Sequence, residues 1–435
     1  MATATQRQSF SMPQDVHPLV MTDYLVLASL GLAALWALDP FLLLPDRIAV
    51  LKFVPAVCLA GAMLLGIVGS AMFAPYDRSR DIYAYLEGAR VLAAFAASVV
   101  AGSLFAKYGS GIDNTFLTLG VFILVVPALA TVVSNSGSPI RFCLGYVLVC
   151  VLLGGLIGVI QIANFAQYAY FHSLEFVVIP CAVFFAFAPL NRVYRWAGIV
   201  FFAVLAVAQH KNTGYLVLLF VIAYLAICKF SEVIRRVSYI DRYYYGLAIL
   251  AVALTLIAIV AVGIAYREEW LPSGNTVYRL YTYEVAWNRF LESPLYGTLF
   301  TEAATEKFPL YEITDGSARG ILPTHSDPLD VLAHGGLLLS SLFFGSLVLL
   351  SRRGFELTRL IERCKSHNDW SRATVHFLFV SFATALVTMC FNPILLSPNR
   401  SIAFWAPAAL LLGLSRRYGR RKKSPLQNLS FPRHQ

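Results

Sequence analysis

Apolar stretches of about twenty residues, separated by short polar turns, recur from residue 22 to residue 414. A helix rises about 1.5 Å per residue, so roughly 17–25 apolar residues cross the hydrocarbon of a bilayer. By that measure the pattern predicts spans near 22–38, 48–73, 88–106, 115–134, 141–164, 172–188, 194–208, 213–229, 244–265, 328–351, 371–391 and 400–414. The expected fold is all-α, a polytopic transmembrane helical bundle of about twelve spans. One connection breaks the rhythm. Residues 266–327 form a long loop with nine acidic and five basic residues and many aromatics, too polar for another span and too poor in apolar runs for a separate globular domain. A connection of that length is a functional candidate.

Charge then orients the pattern. One set of loops holds Arg78, Arg80, Arg141, Arg192, Arg195, Lys229, Arg235, Arg236, Arg242, Arg352, Arg353, Arg359, Arg363 and Lys365, and the tail adds Arg416, Arg417, Arg420, Arg421, Lys422 and Lys423. The opposite short loops hold Arg47, Lys107, Lys211 and Arg400. Basic residues collect on the cytoplasmic side, so both termini are expected there, with 266–327 on the outer face. The divisions are a cytoplasmic tail at 1–21, helices at 22–265, the outer loop at 266–327, helices at 328–414 and a basic cytoplasmic tail at 415–435.

Composition agrees. With 58% hydrophobic and 13% charged residues, the chain exceeds what a soluble core absorbs, and disorder is excluded. The net charge of +10 reads as topology rather than as nucleic-acid binding. The seven cysteines show no CxxC or paired His/Cys spacing, which disfavours a disulfide framework, a zinc site and a thiol nucleophile. The first apolar run is followed by no cleavage signature and reads as an uncleaved anchor.

Three outer-face features carry candidate chemistry. The loop ends in Pro323-Thr-His-Ser-Asp-Pro-Leu-Asp330 before an apolar span. Asp327 suits an N-cap, Pro328 the first helical position and Asp330 the first turn. His325 then sits just outside a helix N-terminus, where the dipole favours neutral imidazole and a nearby anion. It reads either as a general base or as a capping, interfacial histidine. Asp327, Asp330 and His334 follow on one helical face, where capping and dipole complementation explain the acids better than a metal does.

Upstream, 275–292 alternates as an amphipathic surface helix with apolar positions at 277, 280, 281, 287, 290 and 291, stopped by Ser293-Pro294. Arg279 is expected in its first turn, where a cation opposes the dipole unless an anion pairs with it. Tyr278, Tyr281, Tyr283 and Trp287 suit interfacial anchoring more than sugar stacking. The short turn Gln209-His-Lys-Asn-Thr213 places Lys211 between two apolar runs, as a snorkelling cation or a functional one. Arg400, in the last outer turn, offers another cation or a lipid contact.

Together these positions resemble the O-antigen ligase and O-antigen polymerase superfamily of multi-span inner-membrane glycosyltransferases of the GT-C type. The family's histidine motif, His followed by Asn, Ser or Gln, nine residues and Gly, is matched by His325, Ser326 and Gly336. Its loop arginine, amphipathic helix and Pro-Leu-x-Gly turn look like Arg279 and Pro294-Leu-Tyr-Gly297. Its outer basic residue is similar to Lys211-Asn-Thr-Gly214. Two departures stand out. His334 occupies a position where many members carry an acid, and Lys211 replaces arginine, giving a point charge rather than a bidentate fork.

The resemblance implies inverting transfer of a glycan from an undecaprenyl-pyrophosphate-linked oligosaccharide at the periplasmic face, with His325 as general base and Lys211 and Arg279 on the donor diphosphate. It implies no metal, no cofactor and no nucleic acid. The acceptor is either a second lipid-linked repeat unit, as in an exopolysaccharide, capsule or O-antigen polymerase, or lipid A-core, as in a ligase. The Lys-x-Thr-Gly variant looks more like the polymerases. Membrane lipids, a flippase and a chain-length regulator would be partners. A transporter is the competing class, although transporters place polar groups at mid-membrane.

Overall fold

A computed structural model describes residues 18–38, 53–73, 87–105, 115–163, 175–208, 212–234, 274–301, 305–307, 321–323, 326–363 and 369–419. The helices are α1 (Met21–Leu38), α2 (Val54–Phe73), α3 (Glu87–Leu104), α4 (Thr115–Ile123), α5 (Val125–Asn135), α6 (Pro139–Ala163), α7 (Glu175–Val178), α8 (Cys181–Phe187), α9 (Arg192–Ala208), α10 (Asn212–Ile234), α11 (Gly274–Glu292), α12 (Asp327–Arg363), α13 (Asp369–Met389) and α14 (Pro398–Gly419).

The bundle is helical, and helices stand where the apolar pattern predicts them. The expected span 244–265 lies outside the described residues. Among the described residues, five helical stretches are long and apolar enough to cross a membrane: Phe116–Asn135, Pro139–Val159, Asn212–Lys229, Asp327–Glu362 and Trp370–Met389. Met21–Ala37, Val54–Val68, Val91–Leu104 and Glu175–Phe187 are shorter apolar helices. The structure thus bears out a helical bundle with five such stretches among the described residues, and the count of twelve stays an expectation from the sequence. The loop contributes a short antiparallel ribbon, β1 (Thr305–Lys307) with β2 (Ile321–Pro323), Glu306 opposite Leu322.

α14 is the core helix, packed against α1, α5, α12 and α13. Its Ala403, Ala406, Ala408 and Ala409 are buried, and such small side chains let neighbouring backbones approach where apolar lipid offers no hydrophobic drive. The aromatic centre is Phe404 and Trp405. Phe404 meets Phe176 of α7 at 6.5 Å and Phe382 of α13 at 6.0 Å, while Trp405 stands edge-on to Phe343 of α12 at 6.4 Å. Interlocked rings of this kind fix helix rotation as well as spacing.

α11 starts at Gly274, earlier than the apolar pattern places it, so Arg279 lies in the second turn rather than the first. Thr282, Ala286 and Phe290 recur every fourth residue and are buried, whereas Trp287 and Leu291 are exposed. The helix thus turns a mixed face inward and leaves part of its apolar face outside.

Candidate active site

The loop between α13 and α14 gathers the site. Asn392 donates its side-chain amide to Thr213 Oγ1 at 3.3 Å, tying down the first turn of α10. Two residues further on, Ile394 and Leu395 donate their backbone N–H groups to Asp327 Oδ2 at 2.8 and 3.0 Å. The expected local N-cap is corrected here. Asp327 sends its carboxylate across the fold, and the first carbonyl of α12 to be used is that of Ser326, which accepts from Leu329 and Asp330 at 3.1 Å. Carboxylates are strong acceptors for two backbone donors at once, so one loop holds the N-termini of both α10 and α12.

Arg279 comes to the same place from α11. Its backbone carbonyl accepts the Thr282 hydroxyl at 2.9 Å, and its Nε is buried with no hydrogen-bond partner among the described residues. Burial raises the pKa of the neighbouring Tyr283 phenol, the Arg279 cation lowers it, and Cys390 and Asp330 push it up again. These interactions place Arg279, Tyr283, Asp330 and the start of the α13–α14 loop in one neighbourhood. Arg400, at the start of α14, lies within electrostatic reach of the Glu175 and Asp327 carboxylates. Acids and cations therefore share this end of the bundle.

Lys211 and His325 lie outside the described residues. Their chain neighbours, Asn212-Thr213 and Ser326-Asp327, are described, and Thr213 and Asp327 are the residues fastened to the α13–α14 loop.

Among the described residues no group of His, Cys, Asp or Glu, His334 included, is arranged to hold a metal ion. His334 Nε2 lies 3.3 Å from Arg289 Nη1 and its Nδ1 2.9 Å from Thr298 Oγ1. A guanidinium can only donate. Nε2 therefore accepts, Nδ1 carries the proton, and the neutral ring packs against Phe116 at 4.6 Å.

The glycines of the two motif segments do structural work that residue spacing does not reveal. Gly297 has φ +60° and Gly336 φ +56° with ψ −169°, which breaks α12 internally. The donors released by that break, Leu337 and Leu338 N–H, are taken by the carbonyls of Pro294 and Leu295 at 2.8 and 3.1 Å. The Pro294–Gly297 turn thus completes the broken helix, as buried backbone groups require. The turn continues through Leu299 and Phe300, both at positive φ, with the Phe300 ring fully buried against Phe95 and Phe116.

Residues 197–344 match the O-antigen ligase family model. That stretch is similar to the O-antigen ligase family. The match supports the ligase and polymerase superfamily, and with the apolar helices a multi-pass membrane protein. The matched stretch includes Lys211, Arg279, His325 and the Gly297–Gly336 clasp, but stops before the α13–α14 loop that fastens its helices together. A comparison with curated proteins finds no match.

Proposed function

We propose that the chain is an inverting membrane glycosyltransferase that polymerises undecaprenyl-pyrophosphate-linked repeat units of an exopolysaccharide, capsule or O-antigen. In this reading it sits in the bacterial inner membrane with both termini cytoplasmic and the site periplasmic. The observation that carries it is the convergence of three parts of the matched stretch on the α13–α14 loop: Thr213 directly, Asp327 directly, and Arg279 through Tyr283.

The chemistry follows from the residue types. An acceptor hydroxyl attacks the anomeric carbon of the donor from the face opposite the leaving group. The bond from that carbon to the diphosphate oxygen breaks, and the hydroxyl proton passes to His325 as general base. Charge grows on the departing diphosphate, and Lys211 and Arg279 stabilise it there. Two cations meet the charge demand, so no metal enters the mechanism. A flippase would deliver donor to this face, and a chain-length regulator would act on the product.

The ligase reading, with lipid A-core as acceptor, draws support from the description of the matching family. Purified protein given the lipid-linked repeat unit alone, then with lipid A-core, separates the two. A ladder from donor alone that vanishes in His325→Ala supports the polymerase. Product only with lipid A-core makes the chain a ligase. No product from folded protein with several donors returns the weight to a transporter.

A further inference from the structure

Away from the α13–α14 loop, α10, α12 and α13 meet a second time around a buried histidine and two partly buried charged groups. Glu362 Oε1 accepts Arg372 Nε at 2.6 Å and lies 2.8 Å from His376 Nε2. The other ring nitrogen, His376 Nδ1, is 2.6 Å from Tyr224 Oη. His376 is 2% exposed and stacks on Phe187 at 4.1 Å, and the Arg372 guanidinium lies over the same Phe187 ring at 4.7 Å. A carboxylate only accepts, so Nε2 carries a proton, and with the ring neutral Nδ1 receives the Tyr224 hydroxyl.

Buried ion clusters add little net stability compared with an apolar seam, and their best-attested use is to fix register. Ionisable groups within spanning helices are functional candidates for the same reason of cost. The register in question is visible here. Thr213 and Tyr224 on α10 are bonded to Asn392 and His376, while Asp327 and Glu362 on α12 are bonded to Ile394, Leu395 and His376. Thr213 and Tyr224 are about 16 Å apart along the helix at 1.5 Å per residue. A helix attached at two such heights cannot slide or turn about its neighbour, whereas a single attachment leaves a pivot.

We propose that Tyr224, His376 and Glu362 are positioning residues that lock α10 and α12 onto α13 and so hold the helix ends next to Lys211 and His325 at a fixed separation. The functional part of this proposal rests on the glycosyltransferase reading; the mechanical part does not.

The mechanical part is tested with nitroxide labels at Leu219 of α10 and Leu338 of α12, both exposed, in a variant whose own cysteines are replaced by alanine. The expected result is one narrow distance distribution, broadened in Tyr224→Phe and His376→Leu. His376→Gln should keep it narrow, because the amide N–H can still meet Glu362 and the carbonyl can still accept from Tyr224. An unchanged distribution in Tyr224→Phe and His376→Leu overturns the proposal.

The functional part is tested by kinetics. Misplacement by about 1 Å can cost 10²-fold, so Tyr224→Phe should lower donor kcat/KM at least about tenfold, with His376→Gln within about twofold of wild type. In a Lys211→Ala background Tyr224→Phe should lose most of its effect, since positioning acts through the residue positioned. Independent, multiplying effects overturn it. Should Lys211→Ala itself leave donor turnover intact, the assignment of Lys211 to the site fails, while the label distances still decide the lock.

Discussion

Gly297 and Gly336 face each other with no room for a side chain on either. A Cβ on Gly297 would lie 2.6 Å from the His334 carbonyl and 2.7 Å from the Gly336 nitrogen, and one on Gly336 would lie 2.5 Å from the Leu295 carbonyl. Both residues also hold positive φ, which costs an L-residue about 1–2 kcal/mol before any clash. Gly297→Ala and Gly336→Ala should each destabilise the protein by about 3 kcal/mol or more. The double variant should lose clearly less than the sum, because either side chain alone opens the clasp. Thermal unfolding in detergent micelles measures all three.

Asp327 offers a second test. Truncation to alanine strands two buried N–H groups, at Ile394 and Leu395, each worth about 1–3 kcal/mol when left unpaired. Asp327→Ala should lose about 2–5 kcal/mol. Asp327→Asn, which keeps an acceptor oxygen, should lose less than half of that. A variant as stable as wild type would show that the carboxylate does not hold the loop.

The helix positions were legible because each is written in about twenty consecutive residues, and Arg279 draws attention in the sequence by its order with Lys211 and His325. The organiser of the site was not. The α13–α14 loop reaches Thr213 across 179 residues and Asp327 across 67, and a short, largely apolar turn from Asn392 to Ser397 looks like any other connection. Asp327 shows the limit well. Its sequence neighbourhood predicts a local cap, while the tertiary fold offers two stronger donors. Tyr224 and His376, 152 residues apart, sit in apolar runs that mark them only as unusual residues within a span.

His334 is structural in this arrangement, bridging Arg289 and Thr298 as a neutral ring. His334→Leu removes the acceptor facing a guanidinium and the donor facing a hydroxyl, so it should cost about 1–3 kcal/mol of stability. Turnover per folded molecule should stay within about threefold of wild type, since a role in holding structure leaves the transition state untouched. His334→Glu should recover stability by pairing with Arg289 as a charge-assisted bond. Loss of turnover in a folded His334→Leu would instead place this histidine in the chemistry.

Arg279 is one of the described cations of the site, and the geometry of its guanidinium decides the last prediction. Its buried Nε has no partner among the described residues, an arrangement that a bound anion would complete and that costs free energy without one. Arg279→Ala should reduce donor kcat/KM by about 10²–10³-fold, the scale for removing one electrostatic stabiliser of a developing negative charge. Arg279→Lys keeps the charge but replaces a planar fork by a point donor on a different stem. It should recover only part of the loss, and mainly in KM, because the lysine still attracts the diphosphate in the ground state but cannot follow its oxygens into the transition state. Steady-state kinetics with a lipid-linked donor separate these outcomes. Full recovery by lysine would mean that charge alone matters at this position, and wild-type kinetics in Arg279→Ala would remove Arg279 from the donor site.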